Sequence, residues 1–359
     1  MSRMIRARID TAALRANYSR IKAVAAGRRA IAVVKAKGYG HGGVTVARAL
    51  EAADAFGVAR LEEGVALREA GIRQPIVLLE GVVTRGQLQE AAAHRLELVV
   101  HEPGQIALLE DWRGPAPFAL WLKLDTGMNR LGFRAEQFAA AHSRLAALAV
   151  PSSRLRVMTH FACADERDSP VTREQLARFS AIAAPLGLET SLCNSAGIFG
   201  WPDAHGDWVR PGLSLYGVSP FAGESAASLG LAPVMTLTST VIAVRRVEQG
   251  EYVGYGRLWR AARESRVAIL AAGYADGLLR GLPDGTPVVI RGRRAPLVGR
   301  VSMDMIAVDV TDLPDVEVGA AVELWGPSLP VEEVAARAAS LAYELLCGVS
   351  SRVALEVTT

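Results

Sequence analysis

The sequence predicts an α/β protein in which a TIM-like (β/α)8 barrel is followed by a mostly β domain. From about residue 30, short apolar segments of β type alternate with segments of helical period. Eight such repeats fit within about 200 residues, which favours a closed barrel over an open doubly wound sheet. Near residue 231 the pattern changes to period-two stretches separated by turn residues, which indicates a separate domain.

The eight predicted barrel strands share an apolar centre followed by a turn or a helical segment. In chain order they read AIAVVKA, AFGVAR, PIVLLEG, LELVV, FALWLKLDTG, LRVMTHF, ETSLCNS and DWVRPGLSLYG. The clearest helix between them is VTREQLARFSAIAAPLG. Polar residues at the carboxyl ends of these strands are expected to line an active site, as they do in barrels of this type.

The second domain is predicted from the strands VMTLTSTVIAVRRV, RVAILAAGYADGL, TPVVIRGRRAPLVGR and DMIAVDV. The segment RMIRARID at residues 3–10 also predicts a strand, although it precedes the barrel repeats. We therefore expect residues 1–9 to pair with the second domain. The predicted domain limits are 10–230 for the barrel and 231–359 for the β domain.

Composition restricts the class of ligand. The net charge of +3 arises from 40 basic and 37 acidic residues that are dispersed along the chain, so nucleic acid is not an expected partner. No stretch of about 18 residues is free of charge, and the N-terminal segment has no apolar core, so we expect a cytoplasmic protein without a membrane partner. A small-molecule ligand is the remaining expectation.

The three cysteines, Cys163, Cys193 and Cys347, are far apart and show no metal-ligand spacing. We expect reduced thiols in the core and no metal site.

The predicted strand ends carry mostly cationic and polar side chains. In chain order these are Lys35, Lys123, Asp125, His160, Asn194, Ser195 and Arg210. Because they converge at one mouth of a barrel, they favour an anionic cofactor or a phosphorylated substrate.

The loop after the first barrel strand matches G-x-G-x-x-G through Gly38, Gly40 and Gly43. A dinucleotide site also needs an acidic residue at the end of the next strand, but that strand ends in Arg60. Lys35 stands where that fingerprint has apolar residues, and a strand-end lysine suits Schiff-base or proton-transfer chemistry. The alternative is a salt-bridged surface lysine.

Several ordered motifs resemble one family. The segment AVVKAKGYGHGG is similar to the pyridoxal phosphate (PLP) attachment segment of bacterial alanine racemases, which usually reads K-A-[ND]-[AG]-Y-G-H-G. The similarity continues through DAFGVARLEEGVALREAGI, WLKLDTGMNRLGF, THFACADE, DWVRPGLSLYGVSP, VGYGRLW, GYADG, GRVSMDMIAVD and AYELL. The chain thus resembles alanine racemases over nearly its whole length.

The resemblance implies a homodimeric, PLP-dependent enzyme that interconverts L-alanine and D-alanine, for peptidoglycan precursors or for alanine catabolism. By the same resemblance, Lys35 binds PLP and is one catalytic base, and Tyr255 of the partner subunit is the base on the opposite face. Arg210 matches the arginine that faces the pyridine nitrogen, and His160 matches the histidine that supports it.

The remaining matches concern the phosphate and the substrate. Phosphate-site positions correspond to Tyr39, Ser195, Gly212, Leu213 and Tyr343. Substrate-side positions correspond to Arg130 and Met303 for the carboxylate, to Lys123, which is often carbamylated in the family, and to Tyr274 near the entrance.

These roles are chemically coherent. Racemisation removes a proton from one face of the α-carbon and delivers one to the other face, so two bases are expected. A phenol acts as a base near neutral pH only where positive charge stabilises its anion, and the cationic strand ends can provide that charge. Because an arginine does not accept a proton, Arg210 should keep the pyridine nitrogen unprotonated and reduce transamination.

The sequence departs from the usual family motifs at two places, and two other functions are possible for such a chain. Lys37 replaces the usual Asn or Asp, and GYADGLLR replaces the commoner GYGDGYPR. A broad-specificity amino-acid racemase would use the same bases, whereas a non-catalytic, single-domain PLP-binding protein would not need a β domain that carries Tyr255 and Met303.

Overall fold

The protein is described by a computed structural model for residues 4–114, 119–148 and 154–359. Residues 1–3, the last of which begins the predicted N-terminal strand, and Phe118, the first residue of the predicted fifth barrel strand, lie outside the described residues. The described chain begins with strand β1, Arg6–Asp10, and helix α1, Thr11–Val24. The side chain of Asp10 accepts a hydrogen bond from the Ala13 amide at 2.9 Å, which caps α1.

Eight parallel strands then close a barrel in the order in which they follow one another along the chain. They are β2 (Arg29–Val33), β3 (Ala55–Val58), β4 (Ile76–Leu78), β5 (Glu97–Val100), β6 (Leu120–Lys123), β7 (Leu155–Met158), β8 (Thr190–Ser191) and β9 (Trp208–Val209). A barrel followed by a mostly β domain confirms the predicted fold class.

Helical segments follow the barrel strands and pack outside them. They are α2 (Lys35–Tyr39), α3 (Gly43–Ala49), α4 (Leu61–Glu69), α5 (Arg85–Ala93), α6 (Pro103–Glu110), α7 (Ala135–Ala146), α8 (Val171–Ala183) and α9 (Ser195–Gly200). No helix among the described residues is long and apolar enough to cross a membrane.

The barrel lumen is filled by side chains, as its small size requires. Ile31, Val77, Val99, Trp121 and Trp208 belong to one buried cluster that is separate from the core beneath the helices. Trp121 and Trp208 pack edge to face with ring centroids 5.7 Å apart.

The second domain is built around one long strand, β10 (Met235–Val247), and two helices, α10 (Val331–Arg337) and α11 (Ala342–Gly348). Its other strands are β11 (Tyr252–Val253), β12 (Trp259–Arg260), β13 (Ser265–Leu270), β14 (Pro287–Ile290), β15 (Arg293–Val298), β16 (Ile306–Asp309), β17 (Ala321–Trp325) and β18 (Ala354–Thr358). The large sheet has the order β13-β16-β15-β14-β17-β10-β1-β18, and β13 also pairs with β10.

Strand β1 links the start of the chain to this sheet. It pairs antiparallel with β10 and parallel with β18. Asn17 of α1 is buried and bridges to the end of the barrel, because its amide group donates to the Leu215 and Ala232 carbonyls and accepts from the Ala232 amide. The limits 10–230 and 231–359 stay predictions.

The cysteine prediction was only partly right. Cys193 is buried, but Cys163 is half-buried and Cys347 is exposed. Cys347 lies near the end of α11, a helix that contacts both α10 and the α2 segment.

Candidate active site

A cavity of about 660 Å³ opens at the carboxyl ends of the barrel strands. Eleven residues singled out from the sequence line it together: Lys35, Tyr39, Lys123, Arg130, His160, Asn194, Ser195, Arg210, Gly212, Leu213 and Tyr343. Tyr343 is contributed by α11 of the second domain, and the other ten by the barrel. The cavity therefore joins both domains.

Three of the proposed site residues lie outside this cavity. Tyr255, Met303 and Tyr274 are 73%, 52% and 40% exposed on loops of the β domain. Two of these loops are tied together, because the Tyr274 amide donates to the Ser302 carbonyl at 3.0 Å and the Ala275 amide donates to the Met303 carbonyl at 3.0 Å. A single chain thus presents these side chains outward.

Lys35 is followed by an unusual backbone segment. Ala36, Lys37, Gly38, Tyr39 and Gly40 all have positive φ, between 51° and 80°, so α2 is a left-handed helical turn. Left-handed backbone costs roughly 1–2 kcal/mol for each residue that has a Cβ atom. The surrounding contacts must supply that free energy.

Two side chains hold this turn. Glu63 accepts from the Ala36 amide at 2.6 Å with one oxygen and from the Ala59 amide at 2.9 Å with the other. His41 is fully buried, and its Nδ1 lies 2.8 Å from the Tyr39 carbonyl and 3.1 Å from the Gly38 carbonyl. Burial lowers the pKa of His41 to about 4, so the neutral imidazole donates from Nδ1. His41 therefore supports the turn through its backbone carbonyls.

Hydroxyl groups cluster at one part of the cavity wall. Ser195 Oγ accepts from the Gly212 amide at 3.0 Å and the Ser214 amide at 3.2 Å, which leaves its proton free to be donated. Burial raises the pKa of the Tyr39 phenol, and it raises the pKa of Tyr343 to about 12. Both phenols are therefore donors near neutral pH. Such a set suits an anionic oxygen ligand.

Gly212 makes room for this cluster. A Cβ atom on residue 212 would lie 2.6 Å from the Tyr39 hydroxyl oxygen, well inside van der Waals contact. Here glycine is required by space rather than by backbone conformation.

Arg210 is buried directly after β9 and is held by oxygen acceptors and one ring nitrogen. It donates to the Ser191 carbonyl and hydroxyl at 2.8 Å, to the Thr159 carbonyl at 2.6 Å and to His160 Nδ1 at 3.2 Å. Burial lowers its pKa to about 10, which leaves it charged near neutral pH. Among the described residues Arg210 makes no ion pair.

Lys123 and Arg130 add positive charge nearby. Burial, together with the charges of Arg210 and Arg130, lowers the pKa of Lys123 to about 8. Asp125 does not pair with Arg130 but orders the intervening loop, since its Oδ1 accepts from the Gly127 amide at 2.9 Å and the Asn129 amide at 3.1 Å.

Sequence motifs single out only part of the cavity lining. Glu80 and His101 line the cavity after β4 and β5, and Thr159 lines it beside His160. No motif distinguishes Glu63, which holds the turn after Lys35, because acidic residues are common in the first turn of a helix. Only the strand-end position of Glu80 and His101 could have suggested them.

The fold and the cavity define a class of protein: a barrel enzyme with an amine, a hydroxyl-lined anion site and a buried arginine in one pocket. Residues 9–220 match the family described as "Alanine racemase, N-terminal domain", and residues 234–357 match "Alanine racemase, C-terminal domain". The chain belongs to the alanine racemase family, which is a family of isomerases.

Individual relatives support this assignment over the full length. The chain is 50% identical over 354 residues to the alanine racemase of Chromohalobacter salexigens, covering 98% of this chain and 97% of the relative. It is 51% identical over 345 residues to that of Nitrosococcus oceani, covering 96% and 97%. The crystal structure of biosynthetic alanine racemase from Pseudomonas aeruginosa superposes with a TM-score of 0.96 at 45% identity, covering 100% of both chains.

Proposed function

We propose that this protein is a PLP-dependent racemase that interconverts L-alanine and D-alanine with two bases. The observation that carries the proposal is that Lys35, the hydroxyl cluster around Gly212 and the buried Arg210 all line one cavity. Family membership and the names of the relatives support the substrate. The structure supports the division of the pocket into an amine, an anion site and a cationic wall.

The residues present fit PLP. The space beside Gly212, which a Cβ atom would fill, is bordered by the Tyr39 hydroxyl. Ser195, Tyr39 and Tyr343 each have an O–H group to donate to a phosphate, and Leu213 lines the same part of the cavity. Arg210 would face the pyridine nitrogen, with His160 Nδ1 accepting from its guanidinium at 3.2 Å. When bound, PLP supplies the electron withdrawal that makes an α-proton of an amino acid removable.

Lys35 would hold the cofactor covalently and move a proton at the α-carbon on one face. The left-handed turn that follows Lys35 sets the orientation of its side chain, and Glu63 and His41 hold this turn through hydrogen bonds. The backbone that carries Lys35 is thus held rigidly. A proton-transferring group needs such support if it is to reach only one face of the substrate.

The second base is proposed to be Tyr255 of the partner subunit in a homodimer. Within one chain Tyr255 is 73% exposed and lies outside the cavity that holds Lys35. A second copy that places Tyr255, Met303 and Tyr274 over the cavity would complete the site and cover these exposed apolar side chains.

The substrate carboxylate is proposed to bind between Arg130 and Met303, beside Lys123. A fraction of Lys123 is neutral near physiological pH because its pKa is about 8, and a neutral amine reacts with carbon dioxide. Carbamylation would replace a positive charge by a negative one beside Arg130, and would thereby fix the guanidinium for the carboxylate. Mass spectrometry of the intact protein in bicarbonate, against Lys123→Met, tests this modification.

Proton NMR of L-alanine in deuterated water, followed by chiral analysis, tests the function. We expect loss of the α-proton signal together with appearance of D-alanine. Serine, lysine and arginine in the same assay distinguish a broad racemase, and an unchanged alanine spectrum from PLP-loaded protein would contradict the proposal.

Tyr255→Phe tests the second base. It removes one hydroxyl from an exposed side chain, so we expect normal folding and normal PLP content. Turnover from L-alanine should fall by about 10²-fold or more, the range attributed to a positioned acid or base. Wild-type activity in this variant would exclude the two-base assignment.

A further inference from the structure

A second large cavity lies at the opposite end of the barrel. Its volume is about 830 Å³, and five of its lining residues are arginines: Arg68, Arg73, Arg95, Arg154 and Arg156. Glu97 is the one carboxylate among its described lining residues. We call this space the arginine cavity.

The arginine cavity is separate from the proposed active site. Glu97 is the first residue of β5 and Arg156 is the second residue of β7, and Arg73 lies just before β4. All parallel barrel strands begin at the same mouth. The cavity therefore lies at the amino ends of the strands, whereas Lys35 and Arg210 follow their carboxyl ends.

Four of these five arginines divide into two groups by their partners. Arg156 is neutralised by Glu97 at 3.1 Å and by Glu189 at 2.8 Å. Arg68 has a scaffolding role, because its guanidinium donates to the carbonyls of Ile72 at 2.6 Å and His94 at 2.9 Å and so joins two loops. The loops that it joins carry Arg73 and Arg95.

Arg73 and Arg95 have guanidinium groups that make no hydrogen bond or ion pair with any described residue. Arg95 stands close enough to Arg68 that its charge adds to the effect of burial in lowering the pKa of Arg68. Positive groups that face one concave space repel one another, and this repulsion is relieved when an anion enters between them.

The shape and the donors of the arginine cavity indicate the kind of anion. Its volume lies within the range of about 300–1,000 Å³ that is usual for small-molecule sites. Guanidinium groups match the oxygens of phosphate in paired hydrogen bonds, and the two uncompensated charges of Arg73 and Arg95 favour a multiply charged ligand. A single carboxylate would leave one of these two charges unmatched.

We propose that the arginine cavity binds a small anion that carries two or more phosphate groups, with Arg73 and Arg95 as its principal ligands. This site is additional to the phosphate position beside Gly212, and it takes part in no step of the proposed racemisation.

Inorganic pyrophosphate is the probe, titrated into PLP-loaded protein by calorimetry at constant ionic strength. We expect saturable binding of one pyrophosphate per chain, weaker in high salt, and a rise in Tm because the ligand binds the folded state. Substituting Arg73→Ala and Arg95→Ala together should raise Kd at least about tenfold, since hydrogen bonds to charged groups are involved.

A matched pair of substitutions removes the same charge elsewhere. Arg245→Ala and Arg337→Ala lie on exposed positions of the β domain and should change Kd by less than about twofold. Both double variants should keep wild-type racemase activity, which shows that they fold. Absence of saturable binding, or equal weakening by the two double variants, would overturn the proposed site.

Discussion

At the scale of single residues, the contact between Arg210 and His160 fixes a protonation state. A guanidinium only donates, so His160 Nδ1, 3.2 Å away, must present a lone pair. Burial, together with the charges of Arg210 and Lys123, holds the pKa of His160 well below its usual range. His160 is therefore a neutral acceptor that orients Arg210, and it carries no charge near neutral pH.

Gly212 gives the sharpest prediction at this scale. In Gly212→Ala the new Cβ atom would lie 2.6 Å from the Tyr39 hydroxyl oxygen, so the phenol has to move away from the proposed phosphate position. We expect PLP affinity to fall at least about tenfold while the barrel stays folded. Spectrophotometric titration of the apoprotein with PLP measures the change.

Gly86→Ala is the matched control for this substitution. Residue 86 lies in the first turn of α5, where the nearest atom to an added Cβ is 4.0 Å away. Stability should rise slightly and PLP affinity should stay constant. Equal PLP affinity in the two variants would show that the space beside Gly212 is not used by the cofactor.

At the scale of elements, the left-handed turn after Lys35 shows how tertiary contacts override local preference. Ala36, Lys37 and Tyr39 each adopt a conformation that costs roughly 1–2 kcal/mol. The Glu63 carboxylate and the buried His41 ring offset this cost through hydrogen bonds to the backbone of the turn. The strain thus lies next to the proposed catalytic lysine, as strain at functional sites often does.

Gly40 closes this turn beneath α11 and provides a test of the arrangement. An added Cβ at residue 40 would lie 2.0 Å from the Leu346 carbonyl oxygen, and φ is +80°. Gly40→Ala should displace α11, which carries Tyr343, and therefore weaken PLP binding as well as lower Tm. Thermal unfolding with and without PLP measures both effects.

Gly285→Ala is the control for Gly40→Ala, because it introduces the same backbone strain without a steric collision. Its φ is +82°, but no atom lies within 4 Å of an added Cβ. It should lower the free energy of unfolding by about 1 kcal/mol and leave PLP affinity unchanged. If both variants bind PLP equally well, α11 does not support the cofactor.

The amino-terminal mouth of the barrel is closed by a network of charged and aromatic side chains. Trp121 and Trp208 donate their indole N–H groups to Glu97 and Glu189 at 2.8 and 3.0 Å. Arg29 and Arg156 pair with Glu189, and Arg29 also stacks 4.2 Å above the Trp208 ring. This network seals the lumen on the side away from the proposed active site.

The network makes a pH-dependent contribution to stability. Burial alone would raise the pKa of Glu189, but hydrogen bonds from Arg29, Trp208 and Arg156 lower it from 4.5 to about 2. Because the folded-state pKa is the lower one, the stabilisation is complete above pH 4.5 and is lost as pH falls toward 2. The stability difference between wild type and Glu189→Gln should therefore be largest at neutral pH and shrink in acid.

Denaturant unfolding of both proteins from neutral pH down to about pH 3 measures this difference. Glu110→Gln serves as a control, because a hydrogen bond from Arg144 also lowers the pKa of Glu110, but this surface pair has no second arginine and no indole donor. We expect little change in that variant at any pH. A difference for Glu189→Gln that does not depend on pH would contradict the assigned titration.

At the scale of the whole molecule, hydrophobic periodicity was sufficient to predict the barrel and the β domain that follows it. Strand-end positions in turn predicted that Lys35, Lys123, His160, Ser195 and Arg210 would share one mouth, because parallel strands must end together. The left-handed turn could not be predicted, since its stability depends on His41 and Glu63 from their folded positions. Pattern alone also gave no information on the arginine cavity, whose members are scattered between residues 68 and 156.

The exposure of Tyr255 is the strongest argument at this scale for a homodimer. Tyr255, Met303 and Tyr274 are large side chains that a lone chain leaves in solvent. In a two-fold symmetric dimer each chain would give its Tyr255 to the other chain's cavity, so every site would combine Lys35 of one subunit with Tyr255 of the other.

Mixed dimers test this arrangement directly. Lys35→Ala and Tyr255→Phe chains should each be nearly inactive alone. When the two variants are mixed in equal amounts and their subunits reassort, half of the dimers are hybrids. Each hybrid has one site with both bases intact. We therefore expect roughly a quarter of wild-type activity to return. If both bases came from the same chain, no hybrid would contain an intact site, and the mixture would stay as inactive as its parts.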